Sequence, residues 1–382
     1  LSFPGQVQDG NLGIGPEERW RRLRAVQDHL VAREIDLLLV VGRENLIYFT
    51  GTTQIECAAL LIPAREEPCL VALWLDAPYL RELTGLAVEG YVFPGENLGR
   101  RVARVIKRLG YGRPVIGFEK YFVEFSVFEA LREEFPEARF VGAGDILYRV
   151  RAVKSAEEIA CIRQACRLVV AGVEAAVRFI RPGVSELEVV AEAEYAMLRR
   201  GSGGSPFRPQ VVAGERALLT HPCATNRPIK EGEIVVVHLG ATWNGYCAKM
   251  CRTVAVGRVP EAQVACFELI KKAQEAAINV LRPGVKAAEV DRAAREIIAA
   301  AGYEKHYLTY VGYGVGLRQS EFYPIIGKDS PDEISAGMVV DLLLPTVYLP
   351  GFGGPRLTDC LLVTETGAEL LTPYPRELIQ VM

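Results

Sequence analysis

Along residues 1–150 the apolar positions switch between two periods. Residues 17–33 repeat apolar side chains near every third or fourth position, which predicts an amphipathic helix. Residues 36–41 (DLLLVV) form a short continuous apolar run of buried-strand length. Residues 45–50, 57–62 and 69–75 read as extended. Helices are predicted at 77–83, 98–109 and 125–135, with strands at 87–92 and 115–118. The alternation predicts an α/β lobe over residues 1–150. A boundary falls near 146–154, where Ser155 and Glu158 have capping-box spacing and open a long helix of the second lobe, residues 151–382.

The second lobe carries a duplicated pattern. Arg181-Pro-Gly-Val184, Glu188-Val189 and Gly201 recur as Arg282-Pro-Gly-Val285, Glu289-Val290 and Gly302, each at the same offset of 101 residues. In both copies a helix ends at Pro-Gly and another follows. Two copies imply an α+β lobe with internal pseudo-two-fold symmetry and a site where the halves meet.

Between the copies, residues 233–256 (EIVVVHLGATWNGYCAKMCRTVAV) predict a hairpin, two apolar runs flanking an Asn-Gly turn. Alternation puts Cys247, Lys249, Cys251 and Thr253 on one face of the second strand. Tyr246, Ala248, Met250, Arg252 and Val254 take the other. His238, Lys249 and the two cysteines interrupt an apolar pattern, and buried polar groups need partners.

This hairpin resembles that of the creatinase, aminopeptidase P and prolidase family, whose catalytic lobe has the pita-bread fold. In metal-dependent members it reads roughly D-x-G-x-x-x-x-G-Y-x-x-D-x-T-R-T, and the two Asp bind a pair of metal ions. Gly240, Gly245, Tyr246, Arg252 and Thr253 are in register with that frame, while His238 and Lys249 stand at the Asp positions. The link at residues 151–159 is also similar. The resemblance implies three further ligand positions. They fall at Tyr313 (in GYGVG), at Leu343 or, if Pro345 sets the register, Leu344, and at Thr358 (in RLTD). None is a carboxylate or imidazole, so the resemblance points to the metal-free branch, similar to creatinase and ectoine hydrolase, with no metal and no cofactor.

That branch implies a metal-independent hydrolase of a non-peptide C–N bond, an amide or amidine, in a small zwitterionic substrate. His221 matches the family's catalytic His and suits proton shuttling; a structural hydrogen bond is its other reading. Lys249 either pairs with Asp341, Glu321 or Asp359, or meets a substrate carboxylate or carbonyl. Cys251, two residues from Lys249, is a candidate nucleophile or a small residue lining the pocket. Glu321 is the candidate surviving carboxylate. His238, Tyr313, Arg318 and Thr358 are candidate substrate contacts, His238 being otherwise a satisfied core histidine. Glu56, in the N-terminal loop at 51–56, is a candidate contact for a substrate amine or guanidine, or a solvated side chain. The resemblance also implies a homodimer in which one N-terminal lobe caps the neighbour's site. A non-catalytic scaffold is the rival reading; an Xaa-Pro dipeptidase fits the fold but not the ligand positions.

Composition narrows the partners. A net charge of −3 argues against nucleic acid. No apolar run reaches the length of a membrane span. Nine cysteines without a C-x-x-C pair read as reduced thiols of a cytoplasmic protein. Residues 1–13 have no signal-peptide layout and read as a loose arm.

Overall fold

The computed structural model describes residues 13–307, 310–344, 347–348 and 354–382, except for the side chain of Leu344. Residues 1–12 of the expected arm, and Pro345, lie outside the described residues. The chain forms two compact units that divide between Arg151 and Ala152.

The first unit is the α/β lobe. Its elements are α1 (Pro16–Ala32), β1 (Leu37–Val40), α2 (Arg43–Thr50), β2 (Ala59–Pro63), β3 (Cys69–Leu73), α3 (Ala77–Thr84), β4 (Ala87–Tyr91), α4 (Leu98–Arg108), β5 (Val115–Phe118), α5 (Phe125–Glu134), β6 (Arg139–Gly142) and α6 (Gly144–Ala152). The sheet runs β4-β3-β2-β1-β5-β6, parallel except around β2. Residues 45–50, expected to be extended, are helical instead. Every residue from Asn45 to Thr50 is buried, so no polar face marks the helical period. Gly51, left-handed at φ 72°, ends the helix.

The second unit is an α+β lobe in which helices back a curled, mainly antiparallel sheet. In chain order it contains α7 (Ala156–Phe179), α8 (Glu186–Leu198), β7 (Gln210–Ala213), β8 (Ile234–Trp243), β9 (Tyr246–Val256), α9 (Glu261–Val280), α10 (Ala287–Ala300), β10 (Gly312–Gly314), β11 (Ile325–Ile326), β12 (Val339–Leu344) and β13 (Leu357–Val363). The strand order is β11-β10-β12-β13-β9-β8-β7.

The duplicated sequence is a duplicated structure. Gly183 and Gly284 both sit left-handed after a helix, at φ 91° and 81°. Each donates its N–H to a strand-flanking isoleucine, Ile229 in one copy and Ile334 in the other. Ser185 and Lys286 open the following helices, each with its backbone N–H on the side chain of a glutamate three residues on. One apolar core, from Ile270 through Val290 and Val340 to Leu361, joins α9 and α10 to the β12–β13 side of the sheet.

Candidate functional site

The β8–β9 hairpin turns through Asn244 and Gly245, both left-handed at φ 49° and 80°, as a two-residue turn requires. That turn fixes the register, pairing Gly240 with Lys249 and His238 with Cys251. Farther across the sheet Thr358 pairs with Cys251, Leu343 with Thr358, and Tyr313 with Asp341. The sheet thus gathers His238, Lys249, Tyr313, Leu343 and Thr358 from five different strands onto two neighbouring rows.

Above these rows lies a cavity of about 780 Å³. His221, His238, Lys249, Tyr313, Arg318 and Glu321 line it, together with Phe207, Arg208, Leu343 and Arg356. All of its lining residues belong to the second unit. Glu56 is exposed in the first unit and is not among them. His221 is exposed on the cavity wall, and Arg318 is half-buried with its guanidinium 4.9 Å from the Phe322 ring centre.

Of the three carboxylates open to Lys249, the fold supplies Asp341. The ammonium nitrogen lies 3.0 Å from Oδ2, an ion-pair contact rather than an aligned hydrogen bond, with both side chains almost wholly buried. Ser320 Oγ at 3.0 Å and Gln319 Oε1 at 3.4 Å complete its surroundings. Asp341 Oδ1 accepts the Tyr313 N–H at 2.9 Å. Burial pushes the Asp341 carboxyl up, and Lys249 pulls against it. Asp359 is taken by Arg252 at 2.7 Å. Glu321 is buried beneath the glycine turn, where its Oε1 accepts the Arg318 N–H. A Cβ on Gly316 would meet that oxygen at 2.6 Å, so a larger residue there would displace the Glu321 carboxylate.

His238 is only 8% exposed, and its ring lies against Phe207 at 4.9 Å. Gly240 allows this closure, since a Cβ there would meet Phe207 Cε1 at 2.5 Å. Burial, then Lys249 and Arg356, hold the His238 imidazole well below its ordinary pKa, so it is neutral. Its Nε2 is buried without a hydrogen-bond partner, as is the Oγ1 of Thr358, which was expected as a substrate contact but is fully buried and absent from the cavity wall. The alternative of a satisfied core histidine therefore fails for His238. Burial and then Asp341 push the Tyr313 phenol up, keeping it a neutral donor.

Cys251 requires a correction. Expected as a nucleophile or a pocket-lining residue, it is fully buried and absent from the cavity wall, packed with Val212, Ala217 and Val236. Burial pushes its thiol up to about 12, outweighing the nearby guanidinium groups of Arg356 and Arg252. A thiol so protonated and enclosed is no nucleophile.

Sequence reasoning missed Arg356. Its Nη1 donates to Gln210 Oε1 at 3.1 Å, and its Nη2 to the carbonyls of Ala217, at 3.0 Å, and Leu219. Its Nε is buried without a partner. Among the described residues no carboxylate pairs with it. The available signal was an arginine sharing a strand face with Thr358, Cys360 and Leu362.

A pair of divalent ions needs oxygen or imidazole ligands, most of them anionic. The five positions offer one imidazole beside an ammonium, a phenol, a leucine and a hydroxyl. Among the described residues no cluster of three or more His, Cys, Asp or Glu side chains could hold a metal ion. This donor set does not fit a metal pair.

The two-lobed fold, with a cavity in the second lobe, is that of the creatinase and prolidase class. Residues 160–365 match the model of metallopeptidase family M24, and residues 22–153 match the creatinase/prolidase N-terminal domain. The Xaa-Pro dipeptidase of Pyrococcus furiosus is 31% identical over 358 residues, covering 94% of this chain and 99% of that one. The prolidase structure from Pyrococcus horikoshii superimposes with a TM-score of 0.87 at 30% identity, covering 94% of this chain and all of that one. The Xaa-Pro dipeptidase structure from Bacillus anthracis gives 0.87 at 28%, covering 96% and 100%. The chain belongs to metallopeptidase family M24.

These relatives overturn the placement in the metal-free branch. They overturn with it the expected metal-independent hydrolysis of a non-peptide C–N bond. The proteins that align along both lobes are dipeptidases and prolidases, within a family named for metallopeptidases. Loss of residues at ligand positions does not define kinship; identity along the whole chain does, and it points to the dipeptidases.

Proposed function

We propose that this chain acts on the substrate class of its relatives, short peptides of the Xaa-Pro type, with peptide-bond hydrolysis as its activity. The observation that carries this is identity spread over both lobes to an Xaa-Pro dipeptidase of nearly the same length. A cavity of about 780 Å³ suits a dipeptide. Arg208, Arg318 and Arg356 in its wall favour a ligand with a carboxylate. His221 is the proposed proton carrier, Tyr313 a neutral donor to the ligand, and Glu321 with Arg318 the polar wall opposite the sheet.

One observation favours a second reading, peptide binding without turnover. The Lys249–Asp341 pair stands where the family places a metal ligand, and the donor set does not fit a metal pair. A homodimer with a capping N-terminal lobe is proposed from the resemblance alone. A reducing, cytoplasmic location is proposed because all nine cysteines are free. Among the described residues no helix is long and apolar enough to cross a membrane.

The deciding experiment measures proline release from glycyl-L-proline with and without added manganese or cobalt, alongside calorimetric binding of the same dipeptide. Release supports the first reading and binding without release the second. Neither release nor binding over a panel of Xaa-Pro dipeptides discards both.

A further inference from the structure

Arg208 is exposed on the cavity wall, and among the described residues its side chain makes one hydrogen bond, from Nη1 to Cys223 Sγ at 2.6 Å. A thiol is a weak acceptor. No carboxylate among the described residues pairs with this guanidinium, and its Nε and Nη2 stay open to a ligand.

The side chain is accessible, but its base is held. Arg208 precedes Pro209, which restricts its backbone to extended conformations. On one side Phe207 lies against the His238 ring. On the other, Gln210 opens β7 and pairs with His238 across the sheet. The guanidinium therefore starts from a fixed point on the wall.

The charge of the wall is the second observation. Arg208, Lys249, Arg318 and Arg356 line the cavity, and Glu321 is the one carboxylate among its lining residues. Asp341 neutralises Lys249, which still leaves two positive charges in excess. A zwitterionic dipeptide brings equal charges of both signs and leaves that excess in place. A dipeptide with an acidic side chain brings one further negative charge. Arg356 is 4% exposed, whereas Arg208 is within reach of a ligand in the cavity.

We propose that Arg208 is a specificity-determining residue that selects ligands with a second carboxylate, namely Xaa-Pro dipeptides whose first residue is glutamate or aspartate. This rests on the peptide reading above and adds which first residue is preferred, and what reads it. The side-chain carboxylate replaces the thiol as partner of the guanidinium, exchanging a weak acceptor for a charge-assisted one. Because the contact forms at an exposed side chain, it stays partly solvated and its gain is moderate.

The test measures calorimetric binding of glutamyl-, methionyl- and lysyl-proline to the full chain. Their first residues are similar in length and differ in charge. The wild type should bind glutamyl-proline about three- to tenfold more tightly than methionyl-proline, and lysyl-proline least tightly. Added sodium chloride should shrink the preference by screening it. Arg208→Gln should bring glutamyl- and methionyl-proline to equal affinity, and Arg208→Glu should invert the order in favour of lysyl-proline. Both variants alter an exposed side chain, and thermal midpoints equal to the wild type's will show that they fold. Equal or weaker binding of glutamyl-proline than of methionyl-proline by the wild type, or an unaltered preference in Arg208→Gln, overturns the specificity role and leaves the peptide reading standing. Binding of none of the three, nor of glycyl-L-proline, removes the peptide reading and this role with it.

Discussion

Two buried arginines, Arg252 and Arg356, serve the same sheet in opposite ways. Arg252, on the face of β9 away from the cavity, places all five of its N–H donors. They reach the carbonyls of Pro375, Cys251, Thr358 and Tyr374 and the carboxylate of Asp359. Arg356, on the cavity side, has no carboxylate among the described residues and leaves Nε unused. Tyr246 donates to Glu158 at 2.9 Å on the far face, where Asp359 Oδ2 alone of the Arg252 network lacks a hydrogen bond, whereas His238, on the cavity wall, leaves its Nε2 orphaned. Where the protein satisfies its own polar groups the role is architectural; where it leaves them unpaired around a cavity, a ligand has something to complete.

The largest effect should follow from breaking the complete side. Arg252→Ala leaves Asp359 buried with a poorer partner and strips four carbonyls, and should cost about 3–5 kcal/mol in denaturant unfolding. Lys249→Met isolates Asp341 and should cost about 3 kcal/mol. The double variant Lys249→Met, Asp341→Asn should recover most of that loss; if it is as unstable as the single variant, the pair is not what sets the cost. His238 gives a pH signature. Its folded pKa lies well below the ordinary 6.5, so its contribution is complete above that value and is lost as pH falls through the folded pKa. Between about pH 7.5 and 5 the wild type should lose more stability than His238→Asn. Equal slopes for the two would show that this imidazole protonates freely in the folded state. Thr358→Val should be the mildest, neutral or stabilising by less than about 1 kcal/mol, because it removes a hydroxyl that already lacks a partner. A clear destabilisation would reveal a partner for Oγ1.

Much of this architecture was legible in the chain. The Asn-Gly turn fixed the hairpin register, and the repeat of Arg-Pro-Gly-Val marked the duplicated half. The helix at 43–50 was hidden because full burial erases the polar face that reveals helical period. Lys249 was recognised as needing a partner, but three carboxylates were open to it, and only the order of β12, β13 and β9 selects Asp341. Cys251 shares a strand face with Lys249, and nothing in the alternation tells that it lies in the core rather than in the cavity wall. Arg356 escaped notice because what matters is the anion it lacks. The branch was not legible for a different reason: five altered positions point away from the dipeptidases, while the similarity to them is dispersed over the scaffold.

The distribution of thiols gives the molecule a built-in clock. Cys57 is exposed and Cys223 half-buried at the cavity, so both should react quickly with a thiol reagent. The others are enclosed, Cys69 alone in the first unit and Cys161, Cys166, Cys247, Cys251, Cys266 and Cys360 in the second. Their modification requires opening, so mass spectrometry of labelled peptides over time would yield a separate opening rate for each lobe. In the same experiment, slower labelling of Cys223 would report when the cavity is filled.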